Sequence, residues 1–370
     1  MKKVVHVITS LGDGGAEGVL YRLLNSCKNS EHIVVSLQDH GKYGPKLVDE
    51  GFKVYSLGFY SLKNLLSSCA ELHKIFKFER PDVIQSWMYH ADFFGGLIGK
   101  FCGVRKIYWG IRNSNLGRTE SSLSVRAINV LNIIASYFLP NKIICCAHSA
   151  SQYHSSIGYN SSKMQIIENG FDVQKFNSNE TVSSINESDK IFHIGIVARF
   201  DPQKDHLSFI SALSILRNSG RNFKASIIGT GVINSSLVAE IVRLGLNDIV
   251  TLNEPRDDIV KFYQMVDLNV LCSAYGEGFP NVLAEAMASK TPCVATDVGD
   301  SNYIIEKCGW LVPPKSPSHL AAAIACAMDL YYFDNVKWQQ LRSSCRERII
   351  NNFTIEKMVE KFERLWDSNG

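Results

Sequence analysis

The chain has 370 residues, 45% of them hydrophobic and 20% charged, which is the composition of a soluble globular protein too long for one ordinary core. Thirty-nine Lys and Arg against 36 Asp and Glu leave a net charge of +3, too mild a balance to argue for nucleic acid as a partner. The charge is uneven: residues up to Asp172 hold 19 basic against 13 acidic side chains and the remainder 20 against 23, so the N-terminal half fits an anionic partner or membrane surface, or simply a random spread of surface charge.

The first residues, MKKVVHVITS, are basic, but the apolar run is short and leads into a Gly-rich turn, so they read as a first strand rather than a signal peptide. Strands are predicted at 3–9, 32–37, 53–58, 82–87, 106–111 and 142–147, and again at 191–198, 224–229, 248–252, 267–272 and 291–296. Most are near-continuous apolar runs, as in a parallel sheet covered on both faces. Helical patterns such as Ala16–Asn25 and Leu207–Arg217 lie between them and make repeated βα units. The stretch Val125–Leu139 is apolar with Arg126 as its only charge, and reads as a core helix rather than an interfacial membrane helix. No apolar run reaches the roughly 18 residues that a spanning helix needs. The ten cysteines form no CxxC pair and several fall inside apolar runs, the habit of buried thiols in a reducing compartment.

Residues 177–190 are polar and without periodicity, and read as a linker. The expected organisation is an N-terminal domain over 1–176, a C-terminal domain over 191–354, and a C-terminal helix over 355–370 that crosses back to the N-domain. The fold class is α/β, with two doubly wound Rossmann-like domains facing a cleft. Ligands in such sheets bind beyond the carboxyl ends of the strands, so function is expected in the loops after strands.

Three of those loops carry chemistry. The first, SLGDGGAEG (10–18), follows strand one and opens a helix; its glycines let backbone amides approach a phosphate. A dinucleotide fingerprint begun at Gly12 needs glycine where Glu17 stands, which weighs against a dehydrogenase. The second, VARFDPQKDH (197–206), places Arg199 and Lys204 five apart, where two cations can grip a diphosphate unless both are plain surface charges. The third, YGEGFPNVLAEAMASKTPCVATDVG (275–299), sets Glu277 in a loop and Glu285 on a helix begun by Pro280. The amides of Gly278, Phe279 and Asn281 then cluster at the positive helix end, and the two carboxylates suit sugar hydroxyls.

Together, GGAE (14–17), ENGFD (168–172), RF…QK (199–204), EGFPNVLAEAMA (277–288) and GWLVPP (309–314) resemble a retaining glycosyltransferase of family 4 with the GT-B fold, over nearly the full chain and in family order. The resemblance implies that Arg199 and Lys204 bind the donor diphosphate and neutralise the leaving group. It implies that Glu277 holds the transferred sugar and Glu285 the ribose, with backbone donors from Gly278 and Phe279. Gly14, Gly15 and Glu17 would line the phosphate and acceptor side, and Arg112 would be an acceptor-side cation. His90, in SWMYHAD, would stand near the reacting sugar unless it is an ordinary core histidine; His148 and His154 are weaker rivals. Two positions depart from the pattern, Asn253 or Glu254 where relatives often carry glycine and Tyr303 where many carry glutamate. The sequence has no Asp-x-Asp, so no metal or other cofactor is expected. The implied activity is transfer from a nucleotide sugar, UDP-linked by preference, to a lipid-linked saccharide at the cytoplasmic membrane face, in assembly of a surface polysaccharide such as a lipopolysaccharide O-antigen. A nucleotide-sugar epimerase or hydrolase, or a non-catalytic binding protein, are the alternatives.

Overall fold

A computed structural model describes residues 1–60, 64–114, 123–176, 191–234, 236–256 and 258–368. They divide into two compact units, Met1–Gly170 with Ile355–Gly370, and Phe171–Thr354. The expected linker 177–190 lies outside the described residues.

Unit 1 runs β1 (Lys2–Ile8), α1 (Gly15–Ser26), β2 (Ser30–Ser36), α2 (Tyr43–Asp49), β3 (Lys53–Ser56), α3 (Leu65–Glu79), β4 (Val83–Trp87), α4 (Tyr89–Phe101), β5 (Lys106–Ile111), α5 (Leu123–Ala135), β6 (Lys142–Cys145), α6 (His148–Ser156) and β7 (Met164–Ile166). Its seven strands are ordered β3-β2-β1-β4-β5-β6-β7, every pair parallel. Every residue of β4, and all but the first of β5, is buried, which is why these strands show no alternation in the sequence.

Unit 2 runs β8 (Phe192–Val197), α7 (His206–Asn218), β9 (Phe223–Ile228), α8 (Ser236–Arg243), β10 (Val250–Asn253), α9 (Ile259–Met265), β11 (Leu268–Leu271), α10 (Asn281–Ala288), β12 (Cys293–Thr296), α11 (Ser301–Ile305), β13 (Gly309–Val312), α12 (Pro317–Phe333) and α13 (Asn335–Asn352). Its six strands are ordered β10-β9-β8-β11-β12-β13, again all parallel. In each sheet the order reverses once, between β1 and β4 and between β8 and β11. Those are the points where the loops leaving neighbouring strands part and leave room for a ligand.

The last helix, α14 (Ile355–Asp367), belongs to unit 1. Ile355, Met358, Val359, Phe362, Leu365 and Trp366 recur at helical spacing, and all are buried in the core with Ile8, Leu20 and Trp87. Unit 1 ends at Gly170 rather than at residue 176, because the next residues are held by unit 2. Phe171 N donates to Phe353 O at 2.9 Å, and Arg346 Nη2 donates to Val173 O at 2.9 Å.

Helix α5 departs from its expected role. It is not a core helix: Val130, Leu131 and Ile134, with Tyr137 and Phe138 just beyond it, are exposed. Asn129 and Asn132 point inward beside Ile128. Tyr159 Oη donates to Asn129 Oδ1 at 2.6 Å, and Asn132 Nδ2 donates to Tyr89 O at 2.9 Å. These two bonds, to the first residue of α4 and from Tyr159 beyond α6, offset the cost of burying the amides.

Candidate functional site

In unit 2 the loops after β8 and β11 flank the switch point, and Lys204 and Glu277 meet there. Asp201 Oδ1 accepts from Gln203 N at 2.9 Å and caps a single 3₁₀ turn, Pro202–Lys204, opened by the proline. Asp205, left-handed at φ 46°, then caps α7. This tight double cap fixes the Lys204 backbone, and Ala274 N ties it to the other loop through Gln203 O at 2.8 Å. Lys204 Nζ donates to Glu277 Oε1, and Ser273 Oγ donates to the same oxygen at 2.5 Å. The two side chains are 19% and 8% exposed, so this is a largely desolvated ion pair. Arg199 stays outside it, 60% exposed and 3.3 Å from Asp201.

The Glu277 loop is pinned from three sides. Phe279 is buried, its ring 6.1 Å from Phe171 and 5.2 Å from Phe353. Asp300 N donates to Gly278 O at 3.0 Å. Gly299, at φ 63°, approaches so closely that a Cβ would collide with the carbonyls of Glu277 and Gly278. Pro280 is the N-cap of α10 and not its first residue, so the helix starts at Asn281. Glu285 lies one turn along, half-buried, and Tyr263 Oη donates to its Oε2 at 3.2 Å. Tyr263 is fully buried, and burial together with the Glu285 charge holds its hydroxyl protonated, well above the usual phenol range.

In unit 1 the expected residues gather at the carboxyl ends of β1, β4 and β5. Gly14 is the N-cap of α1 and Gly15 its first residue. The Glu17 carboxylate folds back over Gly14 so closely that a Cβ there would run into it, and Ser10 Oγ donates to Glu17 Oε1 at 3.3 Å. Burial pushes the Glu17 carboxyl above its usual range.

Across the switch point, Met88 takes φ 73° to turn β4 into α4, and His90 follows, half-buried. Burial lowers the His90 imidazole, which favours the neutral ring. Arg112 lies against Trp87, its Cζ 4.3 Å from the ring centroid, and Nη1 donates to Asn169 Oδ1 at 2.9 Å. It is thus an inward-turned cation rather than a surface one. Between His90 and Arg112 stands a residue the sequence reading passed over. Asp92 accepts from Ser86 Oγ at 2.6 Å and from Gly110 N at 3.0 Å, bridging β4 and β5, and burial pushes its carboxyl up to about 7. Its one signal was a carboxylate two residues past the histidine, in a helix whose only other charged residue is Lys100.

The rival histidines separate. His148 is exposed at the start of α6. His154 is fully buried: Nδ1 donates to Ala150 O at 2.8 Å and Tyr89 Oη donates to Nε2 at 2.9 Å, so it is structural. Burial lowers it to about 4, and lowers His206 as far. A histidine depressed in the folded state leaves stability intact above its ordinary value near 6.5 and erodes it as pH falls toward 4. Calorimetry is therefore expected to show Tm falling through that window, with His154→Gln reducing the pH dependence. An unchanged profile in the variant would show His154 to be irrelevant to acid stability.

Two doubly wound domains with polar side chains at the strand ends beside each switch point are the build of the GT-B class. Domain comparison makes this specific: the model described as Glycosyltransferase Family 4 matches residues 13–175, and that described as Glycosyl transferases group 1 matches residues 191–329. The chain belongs to the family 4 glycosyltransferases. It is 24% identical over 322 residues, 83% of this chain and 80% of the relative, to the UDP-Gal:alpha-D-GlcNAc-diphosphoundecaprenol alpha-1,3-galactosyltransferase of Escherichia coli. Over 178 residues, 46% of this chain and 43% of the relative, it is 29% identical to the amylovoran biosynthesis glycosyltransferase AmsK of Erwinia amylovora. Among solved structures, Anabaena Alr3699/HepE in complex with UDP superposes with a TM-score of 0.85 at 20% identity, covering 98% of this chain and 99% of that one. That likeness establishes the fold.

Proposed function

We propose that the protein moves a hexose or N-acetylhexosamine from a UDP-sugar, with retention of the anomeric configuration, to a saccharide carried on a lipid diphosphate. It would do so at the inner face of the cytoplasmic membrane, in building a surface polysaccharide. The observation that carries the reading is the Lys204–Glu277 contact at the switch point of unit 2, with Arg199 on the same loop. An ammonium has three donors, so Lys204 can keep Glu277 and still reach phosphate oxygens. Lys204 and Arg199 would then stabilise the departing nucleoside diphosphate, the charge that develops as the sugar leaves. Glu277 would take hydroxyls of the transferred sugar and Glu285 those of the ribose, while neutral His90 would take a further sugar hydroxyl.

The UDP assignment is supported by the relatives, since Alr3699/HepE was solved with UDP and with UDP-glucose and the E. coli enzyme uses UDP-galactose by name. The lipid-diphosphate acceptor follows the E. coli relative, and AmsK supports the polysaccharide assignment. The test is a panel of UDP-sugars incubated with a GlcNAc-diphosphate-polyprenol and, separately, with none. An α-linked product formed only with acceptor supports the reading. Rapid donor consumption without acceptor points to a hydrolase or epimerase, and a β-linked product overturns retention.

Transfer is proposed to need no metal, because the sequence has no Asp-x-Asp and no group of three metal-ligating side chains occurs among the described residues. Turnover is expected to survive EDTA and to gain little from Mg²⁺ or Mn²⁺. Loss with EDTA that added metal restores would refute this.

A further inference from the structure

The outward face of α5 is apolar, and the sequence segment that carries it holds the basic excess of the N-terminal half. Val130, Leu131 and Ile134 follow i, i+1 and i+4 on one side of the helix, and Phe138 is exposed in the turn just beyond its end. Their exposures are 58%, 46%, 61% and 71%, values out of keeping with a helix that packs on a core. The inward side of the same helix is held by the hydrogen bonds of Asn129 and Asn132 described above, and Asn160 N donates to Ser136 Oγ at 3.0 Å. The helix therefore cannot roll its apolar side inward without breaking them.

Cations border this apolar face where it ends. Lys163 Nζ donates to Ser136 O at 3.1 Å and to Tyr137 O at 2.8 Å, which places an ammonium beside Phe138. Lys100, at the end of the neighbouring α4, is near enough for its charge to act on Lys163, and it is followed by the exposed Phe101. Lys142 opens β6, four residues after Phe138. Residues 93–167 contain eight Lys and Arg and one acidic residue, Glu120, whereas the rest of residues 1–172 holds 11 basic against 12 acidic. The whole basic excess of the N-terminal half thus lies in the segment that carries α5.

We infer that this face of unit 1 is a docking surface for an anionic phospholipid bilayer, with Val130, Leu131, Ile134 and Phe138 entering the interface and Lys100, Lys142 and Lys163 meeting lipid phosphates. Apolar residues bordered by lysines are what such a surface retains. A second copy of the chain is the poorer occupant: its matching segment, with one acidic residue over 93–167, offers these lysines almost no negative charge to meet. The inference deepens the reading of a lipid-linked acceptor, yet the two fail separately.

The experiment is flotation of the full chain with vesicles of phosphatidylcholine, with and without phosphatidylglycerol. The parent is expected to bind the anionic vesicles and to be released by salt. Ile134→Glu with Phe138→Glu is expected to weaken that binding at least about tenfold, with UDP affinity and circular dichroism unchanged. Lys100→Glu is expected to weaken binding to anionic vesicles in particular. The proposal is overturned if the parent ignores anionic vesicles, or if the double variant binds them as the parent does. It is equally overturned if the parent is a dimer that the double variant splits while vesicle binding is untouched. If the parent binds vesicles through this face yet transfers only to a soluble acceptor, the docking surface stands and the lipid-linked acceptor falls.

Discussion

Lys204→Ala is expected to lower kcat/KM by at least about a hundredfold and to destabilise unit 2 as well. The first effect follows from losing a cation aimed at developing negative charge, where one such donor is typically worth about 10²–10³ in rate. The second follows from the ion pair: with Glu277 only 8% exposed, removing the ammonium leaves a desolvated carboxylate without its countercharge, Ser273 still donating to it, at a cost of up to roughly 3–5 kcal/mol. The two effects separate in a double variant. Lys204→Met with Glu277→Gln removes both charges together and is expected to recover much of the lost Tm while turnover stays low. Arg199→Ala, at a side chain 60% exposed, is expected to cost far less stability and about tenfold in kcat/KM. Steady-state kinetics beside calorimetry decide the matter. A Lys204→Ala enzyme with near-parent kcat/KM would remove Lys204 from the chemistry.

The two glutamates are expected to fail in different ways. Glu277, buried against Lys204 and Ser273, would strengthen its hold on the sugar as positive charge grows at the anomeric carbon. Glu277→Gln should therefore depress kcat much more than it weakens UDP binding. Glu285, steadied by Tyr263, would act on the ribose equally in ground and transition states. Glu285→Ala should then raise KM with little change in kcat, and weaken free UDP by about 1–3 kcal/mol. Titration calorimetry with UDP on both variants reads the difference. The opposite pattern would reverse the roles, and parent-like behaviour in both would place the site elsewhere.

Most strands that sequence pattern reveals here are buried on both faces, although the edge strands β3 and β10, only partly buried, are found as well. Those it hides are β7 and β13, three and four residues long at sheet edges and mostly half-exposed, with too few apolar positions to show a run. The role of α5 was hidden for a different reason. Periodicity reports that a helix has an apolar side, but which side faces inward depends on partners such as Tyr159 and the Tyr89 carbonyl, distant in sequence. For the site, loop position after core strands brought Arg199, Lys204, Glu277 and Glu285 under one heading. That Lys204 would hold Glu277 across 73 positions, and that Tyr263 would stand behind Glu285, are facts of topology with no local signature.

The return of the chain to unit 1 has a consequence for synthesis. The core of unit 1 includes Phe362 and Trp366, which leave the ribosome after all of unit 2. At about 5–20 residues per second, the nearly 200 residues between Gly170 and Trp366 take on the order of 10–40 s. The first-made unit is thus the last to be finished, and through that interval the groove that receives α14 stands open beside Ile8, Leu20 and Trp87. A nascent chain of this design invites a holding chaperone at its N-terminal unit. A chain released after Thr354 would display a completed unit 2 attached to an unfinished unit 1.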